Sequence, residues 1–155
     1  MTPALQPASP WRRLMGVAYE AVLLFGVVWL FGYAFSALAQ FKGQPGATRS
    51  VFQAYMAVLL CAYFAWSWSR GRRTLPMKTL AMRLVTAAGE PLTPLRAALR
   101  FVAAGVMVLL PLAAASGLHW AWAAVSLVPF AWTLGDAQRR TLWDVAAGTR
   151  MLAEA

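Results

Sequence analysis

The chain is 155 residues long and 61% hydrophobic, with a mean hydropathy of +0.57 and only 12% charged residues. A soluble domain of this length leaves too large a share of its area in water to hide that much apolar surface, and disorder is excluded by the same numbers. Cys61 has no second cysteine to pair with, so a disulfide-stapled scaffold is excluded too, and an integral membrane protein remains.

The net charge of +9 does not indicate a nucleic-acid partner. In a membrane chain, basic residues gather beside the spans on the cytoplasmic side. Residues 1–11, with Pro3, Pro7 and Pro10, read as a flexible tail. A first apolar stretch covers about residues 14–41 and holds one ionisable residue, Glu20. As a helix it reaches ~42 Å, so it tilts across a ~30 Å hydrocarbon core. It is also far longer than the core of a signal peptide, which argues against cleavage after Ala37-Leu38-Ala39. A second stretch, 51–69, has no charge; a third, 99–115, and a fourth, 118–134, are short for spans. Four spans are preferred to the alternative in which the third and fourth stretches form a re-entrant pair. The expected fold is therefore all-α, a four-helix membrane bundle occupying residues 12–152 between the leading tail and a short tail at 153–155.

The segment 70–98 between the second and third spans is the longest polar stretch. Met77, Leu80, Ala81, Leu84 and Val85 recur at helical spacing, which suits an amphipathic helix on the cytoplasmic leaflet, its basic residues near anionic lipid head groups. A short helix followed by a β-turn at Ala88-Gly89 is equally consistent. Thr93-Pro94 then starts the next helix as N-cap and first residue. With both termini inside, Arg12, Arg13, Arg70, Arg72, Arg73, Lys78, Arg83, Arg96, Arg100, Arg139, Arg140 and Arg150 are cytoplasmic, and only Lys42 and Arg49 fall in the first external loop. That imbalance sets the orientation.

Glu20 is the most informative single residue. A carboxylate inside a span is costly unless it is paired, protonated or facing water, so it is either a proton- or cation-binding site or half of a structural ion pair. Arg13, seven residues earlier, lies on nearly the same helix face but ~10 Å away along the axis. Arg96 and Arg100 share a face at the start of the third span. Asp136 and Asp144 flank Arg139 and Arg140 after the fourth span, and a network joining these charges to Arg100 is expected. Pro111 and Pro129 interrupt the third and fourth apolar stretches, where plain kinks are expected. His119, the only histidine, falls on the external side. One histidine and one cysteine offer no zinc site, and no phosphate loop or nucleophile–base pattern indicates an enzyme or a cofactor.

The run WRRLMGVAYEAVLL, the loop TLPMKTLAMRLVTAAGEPLTPLRAALRF and the end LWDVAAGTRML together resemble the RDD family, small bacterial membrane proteins named for one arginine and two aspartates. Arg13 stands where the family's arginine stands, Glu20 in place of the first aspartate, and Asp144 at the second, followed by Gly148-Thr149. Thr74, Met77, Gly89 and Arg100 also fall on positions typical of the group, whereas Pro76 replaces a usual glycine and Trp143 a frequent histidine. The resemblance implies a multi-pass protein of the bacterial inner membrane, with both termini cytoplasmic. It also implies a transport role, since transport, including cation/proton exchange in some members, has been proposed for the family. In that reading Glu20 and Asp144 bind the ion or proton, and Arg13, Arg100, Asp136, Arg139 and Arg140 are their charge partners. The alternative is a non-transporting accessory subunit of a membrane complex. Either reading implies a homo-oligomer or a membrane protein partner.

Overall fold

The computed structural model describes residues 5–117 and 119–154. It is mostly helical, and three helices are long and apolar enough to cross a membrane: α1 (Pro10–Leu38), α2 (Ala47–Ser67) and α4 (Pro94–Gly117). Pro10 opens α1 behind Ser9, whose hydroxyl accepts the Arg12 amide at 3.2 Å. Likewise Thr93 receives the Arg96 amide at 3.3 Å ahead of Pro94. Both are the expected pairing of a hydroxyl cap with a proline preset to helical φ. Far from the caps, Phe35 of α1 meets Phe52 and Tyr55 of α2, each at 5.3 Å between ring centroids. Near the charged end, Phe64 of α2 stacks on Phe101 of α4 at 5.3 Å. Pro111 sits inside α4.

The fourth apolar stretch does not form a span-length helix, so three span-length helices stand among the described residues where four were expected. Leu118 lies outside the described residues. Beyond it the chain makes α5 (Trp122–Val125), α6 (Val128–Ala131) and a 3-10 turn at Trp132–Leu134. Even taken as one continuous helix, Trp122–Leu134 rises only roughly 20 Å against the ~30 Å of a hydrocarbon core. Pro129 contributes: it sits in the first turn of α6, as its second residue, instead of kinking a longer helix, because proline fits the first turn and breaks an interior.

The all-α expectation is corrected as well. Three short strands, β1 (Leu5–Pro7), β2 (Met82–Thr86) and β3 (Thr149–Glu154), form an antiparallel sheet in the order β1-β3-β2. Leu5–Pro7 of the expected leading tail pairs with Glu154–Leu152, and the expected closing tail from Ala153 is strand, with Ala155 outside the described residues. The 70–98 segment resolves toward the helix-and-turn alternative, with a strand between. Helix α3 (Leu75–Thr79) is capped by Thr74 and stops where Ala81 takes a positive φ of 50°. Strand β2 follows, and Thr86 then closes a turn through Gly89 (φ 92°), accepting the Gly89 amide at 2.9 Å. Met82, Leu84 and Met151 are buried with Phe64, Trp68, Met77 and Leu92 in one core. The sheet and α3 thus close the charged end of the three-helix bundle.

Candidate functional site

At the centre of that charged end lies Asp144, with no exposed surface. It belongs to α7 (Leu142–Ala146), a single turn started by a capping box. The Thr141 hydroxyl accepts the Asp144 amide, and the Asp144 carboxylate accepts the Thr141 amide, each at 3.3 Å. Oδ2 also accepts Nη1 of Arg13 at 2.6 Å, while Oδ1 accepts Nε of Arg100 at 2.8 Å and the Thr149 hydroxyl at 3.3 Å. A carboxylate has about four lone-pair positions, and here all are taken. Burial pushes the Asp144 carboxyl up, but the charges of Arg100 and Arg13 outweigh it and hold the group below the usual aspartate range. A buried ion group earns little net stability, yet breaking it is costly. Arg13, Arg100 and Asp144 thus join α1, α4 and α7.

The two arginines differ in what they have left. Arg13 also donates Nε to the Ala8 carbonyl at 3.3 Å and Nη2 to the Met151 carbonyl at 3.4 Å, so every guanidinium nitrogen is engaged. Arg100 donates through Nε alone among the described residues, and its guanidinium carbon lies 4.4 Å from the centroid of the Trp68 ring.

Glu20 is not part of this cluster. Two turns up α1 it accepts the phenol of Tyr63, on α2, at 2.7 Å, and among the described residues no arginine contacts it. The ~10 Å rise over seven residues is the reason. Asp136 and Arg140 form a second, separate unit: Oδ1 takes Nη2 at 2.9 Å, Oδ2 takes Nε at 3.1 Å and the Arg140 amide at 2.9 Å. The hydrogen bond from Arg140 lowers the Asp136 carboxyl to about 2 and raises the Arg140 guanidinium. Arg139 is exposed, with φ 52°. The expected single network from Asp136 to Arg100 is therefore two separate ones, of which only the Asp136–Arg140 pair is local in sequence. His119 is exposed and accepts the Ala121 amide at 3.1 Å on Nδ1.

Between α1 and the rest of the bundle a cavity of about 320 Å³ opens, lined by Arg13, Glu20 and Arg100 among otherwise mostly apolar side chains that include Phe64, Trp68, Phe130 and Trp143. It brings Glu20 and the arginines to one space without bringing them into contact. Tyr63, Thr141, Thr149 and Trp68 were not singled out from the sequence as site residues. Of these, Thr141 had a readable signal, the three-residue spacing of a cap to Asp144.

No curated protein and no solved structure matches the chain. The RDD family model matches residues 7–148, a range that contains Arg13, Glu20, Arg100 and Asp144. This membrane-spanning chain, fastened at one end by an arginine–aspartate–arginine group, belongs to the RDD family.

Proposed function

We propose that the protein is a small transporter of the bacterial inner membrane, with both termini cytoplasmic, and that Glu20 is the group that takes up and releases a proton or small cation. The observation that carries this reading is the contrast between two carboxylates. Asp144 has every acceptor position filled by its own chain, whereas Glu20 lines the cavity and has one partner among the described residues, the Tyr63 hydroxyl. Intramembrane carboxylates facing a cavity are where ion and proton steps are built. The exchange role expected of both acids narrows to Glu20, and Arg13, Arg100 and Asp144 hold the wall. Beyond Glu20 the three long helices carry no further acidic, basic or histidine residue toward Leu38, Ala47 or Gly117 except Arg49. A path across the membrane therefore calls for several copies or a partner chain. Exposed Arg70, Arg72, Lys78 and Arg96 suit anionic head groups of the inner leaflet.

The second reading, an accessory subunit, is favoured by the saturation of Asp144, which suits a fastener. Purified protein in liposomes separates the two. A pH- or cation-driven flux lost in Glu20→Gln and reduced in Tyr63→Phe, with unfolding temperature retained, supports transport. Absence of flux in the unaltered protein overturns it and leaves the accessory reading.

A further inference from the structure

We propose that the cavity is a binding site for a single-chain amphiphilic anion, its carboxylate or phosphate head on the Nη nitrogens of Arg100 and its chain against the apolar wall. Arg100 is only 5% exposed and lines the cavity. Its Nε is spent on Asp144, and its two Nη nitrogens have no hydrogen-bond partner among the described residues. With Nε engaged, the two Nη nitrogens remain available on the cavity wall, and a guanidinium fork matches a planar carboxylate or a phosphate bidentately. Stacking on Trp68 at 4.4 Å fixes the plane of that fork. The formal charge agrees: two guanidiniums share one carboxylate in Asp144, so the group is left one positive charge in excess.

The remaining walls choose the body of the ligand. Phe64, Ala104 and Phe130 present hydrocarbon, and about 320 Å³ is at the small end of the ~300–1,000 Å³ of small-molecule sites, room for one short chain. Glu20, on the same cavity, repels an anion, so the head is directed to the Arg100 end. The site is the cavity of the transport reading and gives that reading its substrate class, an organic anion moved with a proton on Glu20. Binding itself does not depend on flux.

The full chain in phosphatidylcholine nanodiscs is titrated calorimetrically with decanoate and decyl phosphate, with decanol as the uncharged control. Saturable binding of both anions, at least tenfold tighter than decanol, is expected. Arg100→Lys, which keeps the charge and loses the fork, weakens binding about tenfold. Because that change also touches the Asp144 contact, Ala104→Phe serves as the second variant: one turn beyond Arg100 on α4, it fills the cavity without removing a group of the ion cluster and abolishes binding while the unfolding temperature holds. Decanol bound as tightly as decanoate, or anion binding unaffected by Ala104→Phe, overturns the site. In nanodiscs containing phosphatidylglycerol, competition with decanoate assigns the Arg100 fork to a lipid head, and unchanged affinity assigns it to a free amphiphile; both support anion recognition there. Binding without flux in liposomes upholds this site and overturns the transport reading alone.

Discussion

Arg13 and Asp144 are 131 positions apart in the chain and meet at 2.6 Å, with 4% and 0% of their side chains exposed. Arg100 holds the other oxygen of the same carboxylate at 2.8 Å. The start of the first helix, the start of α4 and the turn before the last strand therefore share one negative charge, and the end of α2 joins through Trp68 beneath Arg100.

Removing that charge leaves two buried guanidiniums facing each other. Asp144→Ala is expected to cost about 3–5 kcal/mol, the usual penalty for one lost partner of a buried pair, read as the shift in unfolding in detergent. Asp136→Asn, whose ion pair is confined to one turn of chain and is only partly buried, shifts the same transition far less.

Arg13→Lys separates charge from geometry. The ammonium still neutralises Asp144 but cannot also serve the Ala8 and Met151 carbonyls. A loss of about 1.5–3 kcal/mol is expected, the range for hydrogen bonds to charged groups. Hydrogen exchange should speed up at the Ala8 amide, which bonds the Met151 carbonyl at 3.0 Å.

Acid should weaken the charged end with a definite sign. Asp144 and Asp136 both titrate lower in the folded chain than freely, the latter at about 2. Their contribution is complete above the unfolded carboxylate value of ~3.9 and disappears as the pH falls through the folded values. Unfolding followed from pH 7 to 2 is expected to stay level down to about pH 5 and then to decline. In Asp144→Asn the decline is shallower, starting from lower stability.

Gly89 tests the turn that follows β2. Its φ of 92° belongs to the region that disfavours side chains, and an added Cβ would sit 3.4 Å from Nη2 of Arg150. Gly89→Ala is expected to cost about 1–2 kcal/mol. Gly26→Ala, in α1 with nothing within 4 Å of the new Cβ, is expected to raise stability by about 0.5–1 kcal/mol. Paired thermal melts of the two variants check this.

Long apolar runs made α1, α2 and α4 legible, since length and hydropathy alone decide a span. The sheet was not, because its strands are three, five and six residues long and pair across the whole sequence, where no local pattern reports the partner. Met77, Leu80, Ala81, Leu84 and Val85 fit a helical period, yet Ala81 at φ 50° ends α3, and burial alternates along β2 at Met82, Leu84 and Thr86. The alternation was present in MRLVT but short enough to be absorbed by the neighbouring helix period. Arg13, Arg100 and Asp144 were expected together because all three fall on the cytoplasmic side of the apolar stretches and on positions typical of the resembling family. Glu20 was singled out as an acid inside the first span, already ~10 Å along the axis from Arg13, and its partner is Tyr63, a residue with no signal of its own in an uncharged span.

Strand β3 lies between the other two, so β1 and β2 touch nothing of each other except through it. During synthesis the helices can insert as they emerge, but the plate sealing the charged end cannot assemble until Thr149–Glu154 has been made. Shortening the chain before Thr149 releases Leu5–Pro7 and Met82–Thr86 together, and one missing segment then opens the bundle from both its earliest residues and its midpoint.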